Sequence, residues 1–140
     1  MESNGTPEPG GAGPNILIVD DSKMMRAMIR RVTAVAGVAI GDVFEAANGQ
    51  EALAILEQHD VQCLFTDINM PVMTGTELLR AMQARSEWRN IVRVIISTDG
   101  SDSRRSEAQE LNVQMYVEKP FRPEVMRDVL STLSPAAAER

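Results

Sequence analysis

From Asn15 onward the chain alternates short apolar runs with longer stretches of helical periodicity. Ile16-Leu17-Ile18-Val19 is the first run and closes on Asp20-Asp21. Met24, Met25, Met28, Ile29, Val32 and Val35 then recur at helical spacing, and Gly37 follows as a stop. Val43-Phe44 marks a short second strand. Asn48 with Glu51 three residues on predicts a helix start, and that helix carries Leu53, Ile55 and Leu56. The run Cys63-Leu64-Phe65-Thr66 closes on Asp67. Thr74-Gly75-Thr76-Glu77 is a second capping-box pattern, opening a helix with Leu78, Leu79 and Met82. Ile91 to Ile96 predicts the fourth strand, ending in Ser97-Thr98, and a polar helix follows from Ser103 to Leu111. Val113 to Val117 predicts the fifth strand and leads into Lys119-Pro120. Pro123 suits a first helical turn, after which Val125, Met126, Val129, Leu130 and Leu133 form an apolar stripe.

Strands that alternate with helices imply an α/β fold, with a parallel sheet covered on both faces. Right-handed crossovers put every strand end that leads into a helix on one rim, and ligands of such sheets bind outside those ends. The same rule collects candidate chemistry. The first strand delivers Asp20 and Asp21, the third Asp67, the fourth Ser97 and Thr98, and the fifth Lys119. Like charges gathered at one edge are unfavourable unless a cation or bound group offsets them. Hard oxygen donors suit Mg²⁺, and a carboxylate can serve as nucleophile for a phosphoryl group. Any one of these residues alone is ordinarily a cap, a turn residue or a solvated charge. The joint placement is what points to metal-assisted phosphoryl chemistry.

Composition narrows the class. The 140 residues suggest one domain, with residues 1–14 a disordered Gly/Pro-rich tail, 15–134 the folded unit and 135–140 a C-terminal tail. The net charge of −6 argues against nucleic acid as the main partner. A single cysteine, Cys63, excludes an internal disulfide framework. Without an apolar stretch of membrane-spanning length or a signal-peptide pattern, the expectation is a soluble cytoplasmic protein with no membrane partner. His59, near the end of the second helix, is expected to be an exposed helix-end residue rather than a phosphohistidine.

Taken together, Ile18-Val19-Asp20-Asp21, Asp67-Ile68-Asn69-Met70-Pro71 with Gly75, Ser97, and Lys119-Pro120-Phe121 resemble the receiver domain of two-component response regulators, over about Asn15 to Leu133. Single-domain chemotaxis receivers are the nearest in layout. The resemblance implies a flavodoxin-like (βα)5 doubly wound sheet of order 2-1-3-4-5. It implies Asp67 as acceptor of a phosphoryl group from a histidine kinase or histidine phosphotransfer domain. Asp21, Asp67 and the Asn69 carbonyl would ligate Mg²⁺, and Asp20 would act through a metal-bound water. Ser97 and Lys119 would bind the phosphoryl oxygens, and Ser97 and Tyr116 would form the switch. Asn69, Thr98 and Asp99 stand where the family tunes phosphoryl lifetime. Lys119-Pro120 is expected to be cis. Thr98 and Glu118 depart from the usual pattern, in which small and apolar residues are common. The downstream target is expected to dock on the helix 4–strand 5–helix 5 face.

The implied function is a phosphorylation-dependent signalling switch that assists only its own phosphorylation and dephosphorylation and is otherwise no enzyme. Its output would be chemotactic or, alternatively, that of a phosphorelay intermediate or phosphate sink. A phosphatase with an aspartyl nucleophile would need a second Asp two residues after Asp67, where Asn69 stands. A flavodoxin-like ligand binder would need a phosphate-cradling loop after the first strand, where two acids stand.

Overall fold

The computed structural model describes residues 13–132. The predicted termini up to residue 12, and Leu133 onward, lie outside the described residues. Five strands and five α-helices alternate: β1 (Ile16–Val19), α1 (Lys23–Val35), β2 (Val43–Ala46), α2 (Gly49–Gln58), β3 (Cys63–Thr66), α3 (Gly75–Gln83), β4 (Val92–Ser97), α4 (Asp102–Glu110), β5 (Met115–Glu118) and α5 (Pro123–Ser131). A short 3₁₀ turn, Ser86–Trp88, precedes β4. All strand pairings are parallel, in the order β2-β1-β3-β4-β5. This is the flavodoxin-like doubly wound arrangement.

The central strands β1 and β3 are buried along their whole length, as a sheet covered on both faces requires. One face packs Leu17, Leu64 and Ile95 against α2, α3 and α4 through Leu56, Leu78, Leu79, Met82 and Ala108. The other packs Ile18, Phe65 and Ile96 against α1 and α5 through Ile29, Met126, Val129 and Leu130. Burying that apolar area is the main force holding the layers together.

The helix starts follow local chemistry. Thr74 and Glu77 form a full capping box at α3. At α2, Asn48 accepts from the Glu51 N–H, but the Glu51 carboxylate reaches Ala47 N–H rather than that of Asn48. The cap of α4 is Ser101, so this helix begins one residue before Ser103.

The apolar line predicted on α1 is only partly the buried one. Ile29 is buried and Met25 and Val32 are half-buried, whereas Met24, Met28 and Val35 are 79, 48 and 68 % exposed. The buried stripe is Met25, Ile29, Val32/Thr33 and Ala36, at successive intervals of three and four. Six apolar residues at mixed spacing cover more than one helix face, and only the narrow one meets the sheet.

Candidate functional site

Register sets the site. Val19 pairs with Ala46 and Thr66, and Thr66 with Ile95. The next residues therefore leave the sheet side by side. Asp20 N–H donates to the Ala46 carbonyl, Asp67 N–H to that of Val19, and Lys119 N–H to that of Ser97. Asp20, Asp67 and Lys119 thus emerge at the same rim, as the strand-end rule predicts.

Lys119 Nζ bridges the two acids, 3.1 Å from Asp20 Oδ2 and 3.0 Å from Asp67 Oδ2. Ser22 N–H donates to Asp20 Oδ1 at 2.9 Å, and Ile68 N–H donates to Asp67 Oδ1 at 2.6 Å. Asp21, exposed beside them, completes a group in which one carboxylate oxygen from each of Asp20, Asp21 and Asp67 lies within 4.8 Å of the others. Burial pushes the Asp20 carboxyl above its usual value; the Ser22 N–H and Lys119 pull it back only in part. Burial also works against the Lys119 ammonium, but Asp67 and Asp20 outweigh it and hold its pKa above that of an ordinary lysine. One ammonium thus faces three carboxyl groups, and a second cation would relieve the imbalance. The donors are hard anionic oxygens at the edge of solvent, which fits Mg²⁺. Asn69 is exposed in the following loop.

A second layer holds the acids in place, and none of its members stands out in sequence. Arg26 Nη1 donates to the Asp20 carbonyl at 2.7 Å while its Nε pairs with Glu45 at 3.0 Å. Arg30 pairs with the same carboxylate at 2.8 Å. Nineteen residues separate Arg26 from Glu45, so only the pairing of β1 with β2 brings them together.

The loop after β3 is tightly built. Gly75 N–H donates to the Ile68 carbonyl at 2.8 Å. A Cβ on Gly75 would overlap the Asp67 carbonyl oxygen, so glycine lets α3 start against the backbone of the candidate acceptor. Met73 N–H donates to the Pro71 carbonyl at 2.7 Å, closing a γ-turn on Val72 at φ +69°. This positive-φ form is the strained one, and Val72 is β-branched.

Ser97 is fully buried, and its Oγ accepts from Asp99 N–H at 3.1 Å. Tyr116 is half-buried, and its hydroxyl donates to the Asp99 carbonyl. Burial raises its phenol pKa. Arg105 lies 4.7 Å from the Tyr116 ring centroid and pairs with Glu118 at 2.8 Å. Asp99 accepts from Ser101 N–H, which holds its carboxyl below the usual range, and it also faces Arg104 at 3.4 Å. Thr98 is exposed. The Lys119–Pro120 peptide is cis, as expected. His59 is exposed at the end of α2 and stacks on Phe44 at 4.5 Å between ring centroids, away from the rim.

Comparison with known proteins agrees with this geometry. The family model described as response regulator receiver domain matches residues 16–131. A Campylobacter jejuni protein named chemotaxis protein CheY homolog is 36% identical over 116 residues, covering 82% of this chain and 88% of its own. A rice protein named two-component response regulator ORR11 is 34% identical over 130 residues, covering 90% and 84%. Among solved structures, Vibrio cholerae chemotaxis protein CheY4 superposes with a TM-score of 0.78 at 31% identity, covering 87% of this chain and 99% of that one.

Proposed function

From the premise that the chain belongs to the response regulator receiver family, we propose that it is a phosphorylation switch whose acceptor is Asp67. The observation that carries this reading is the bridge from Lys119 Nζ to Asp67 Oδ2 and Asp20 Oδ2, within a triad of carboxyl groups that could hold Mg²⁺. The Ile68 N–H fixes Asp67 Oδ1, which leaves Oδ2 facing the ammonium. In the proposed step Asp67 Oδ2 attacks the phosphorus of a phosphohistidine. The P–N bond breaks, and its electron pair goes to the imidazole, which takes up a proton. Lys119 then moves its hydrogen bond to a phosphoryl oxygen. Bound at Asp21, Asp67 and the Asn69 carbonyl, Mg²⁺ would supply positive charge against the phosphoryl oxygens.

Ser97 would donate its hydroxyl to another phosphoryl oxygen, giving up the contact with Asp99 N–H. Asp99 also accepts the Tyr116 hydroxyl, so the two movements are linked through one residue. The α4–β5–α5 face, including Glu118, would change shape and select the downstream protein. Asn69, Thr98 and Asp99 would set the lifetime of the phosphoryl group by controlling water at the rim. The protein would turn over no external substrate, and it would work in the cytoplasm with a histidine kinase or histidine phosphotransfer domain as donor. Met24 and Val72, 79 and 74 % exposed in segments that leave the same rim, offer such a donor apolar contact.

The name of the Campylobacter relative supports a chemotactic output, while that of the rice relative, a two-component response regulator, specifies no output, and a relay role is the alternative reading. A beryllofluoride adduct formed with Mg²⁺ separates these readings. The adduct should shift the amide resonances of Ser97, Asp99 and Tyr116, and shifts confined to Asp20, Asp21 and Asp67 would contradict the switch. Capture of a flagellar switch protein only by the adduct supports chemotaxis. Rapid return of the phosphoryl group from Asp67 to a histidine phosphotransfer domain supports the relay.

A further inference from the structure

The opposite rim, where the strands begin, holds charge of the other sign. Arg93 is the second residue of β4 and is 2% exposed. Its Nη2 donates to the Trp88 carbonyl at 3.1 Å, and its Nε is the one buried side-chain polar atom without a partner among the described residues. No carboxylate among the described residues pairs with it. A buried guanidinium keeps its charge and is ordinarily paired. Burial accordingly lowers the pKa of Arg93.

Arg93 lines a cleft of about 300 Å³, together with Gln83, Arg85, Ser86, Arg89 and Asn112. Among the described residues, no acidic side chain lines it. Arg85 is partly neutralised by Glu87 at 2.6 Å and Glu57 at 3.2 Å. Arg89 is exposed and forms no ion pair among the described residues. Three guanidiniums, two carboxamides and a hydroxyl thus border one small concavity, and a buried donor in its lining lacks an acceptor.

We propose that this cleft is an oxyanion site that takes a phosphate group, either free or as the monoester of a small molecule. A monocarboxylate would engage one guanidinium fork, whereas a tetrahedral dianion offers oxygens to several at once. The volume holds a phosphate and a few further atoms. The cleft lies at the end of the sheet away from Asp67, so its occupancy does not depend on the phosphoryl chemistry proposed there.

The test uses the full chain, ¹⁵N-labelled, in EDTA so that the acidic rim holds no metal, and at constant ionic strength. Inorganic phosphate and glycerol 3-phosphate are titrated separately while the Arg93 Nε–H and Asn112 amide resonances are followed. Saturable shifts with at least one of the two are expected. Tighter binding of the ester assigns the site to a phosphorylated small molecule, and equal or tighter binding of phosphate assigns it to the free anion. Arg89→Gln, at an exposed position, should weaken binding about tenfold, the scale of one charge-assisted contact. Arg93→Met should abolish it, and Arg31→Gln, on α1 across the sheet, should leave it unchanged. Linear shifts with both ligands, or equal affinity in Arg89→Gln and wild type, would overturn the proposal even if Arg93→Met failed to fold.

Discussion

The two rims of the sheet treat charge in opposite ways. Where the strands end, Lys119 sits between two carboxylates and each of its contacts is a hydrogen bond. Where β4 begins, Arg93 is more deeply buried and its side chain meets a single carbonyl, with no opposite charge among the described residues. A buried ion pair and a buried unpaired ion respond differently to removal. Breaking the pair strands a charge, whereas replacing the unpaired ion by an apolar side chain of like volume removes a desolvation cost. The difference separates a charge on which the folded state relies from one that it merely tolerates, and a tolerated charge invites a ligand.

Paired substitutions test this contrast most strongly. Without Mg²⁺, Lys119→Met should destabilise the fold by about 3 kcal/mol in urea unfolding, because Asp20 and Asp67 lose their cation. Arg93→Met should stay within about 1 kcal/mol of wild type or exceed it. A reversed order would break the comparison.

Backbone strain also divides the rims. Val72 at φ +69° stands in the acidic rim's loop, and Asn112 at φ +61° in the turn after α4. Asparagine tolerates that region and valine does not. Close packing adds to the strain at the acidic rim, since Gly75 lies against the Asp67 backbone. Gly75→Ala should therefore cost about 2 kcal/mol, the scale of overpacking where backbone must move, and should slow phosphoryl labelling of Asp67 as well. Val72→Asn should stabilise by about 1 kcal/mol, raising the thermal midpoint by about 4 °C. A neutral Val72→Asn would show that the turn carries no strain worth relieving.

The smallest effect concerns the layer behind the acids. Burial opposes ionisation of Glu45, but hydrogen bonds from Arg30 and Arg26 hold its pKa below the ordinary 4.5. The folded pKa lies below the unfolded one, so the stabilisation is present above about pH 4.5 and is lost as pH falls through the folded value. Glu45→Gln should remove that part of the acid slope while costing under about 1 kcal/mol near neutrality, because the pair is partly exposed. Unfolding curves of the two proteins that stay parallel through the acid range would contradict the role given to these arginines.

The acidic rim was legible in the sequence because one rule, strand ends on one edge, acts on residues adjacent to clear apolar runs. Asp20, Asp67, Ser97 and Lys119 all follow from it. The arginine cleft was not, because Arg93 lies inside the run Ile91 to Ile96 and looks like an interruption of a strand. Its neighbours come from the end of α3, the 3₁₀ turn and the turn after α4, which only tertiary packing unites. The same limit hid the partnership of Arg26 with Glu45. On α1, hydrophobicity alone could not separate the stripe containing Ile29 from the exposed line through Met24, Met28 and Val35, since methionine and valine are tolerated on either face. Local signals predicted the capping box at Thr74 because donor and acceptor lie within one turn.

Everything proposed for the acidic rim depends on Asp67 accepting the phosphoryl group. The most direct test is intact-mass and peptide-level analysis after incubation with acetyl phosphate and Mg²⁺, with Asp67→Asn alongside. One hydroxylamine-labile phosphoryl group is expected on Asp67 in the wild type, dependent on Mg²⁺ and absent from the variant. Undiminished labelling of Asp67→Asn, or labelling that is stable to hydroxylamine, would contradict it.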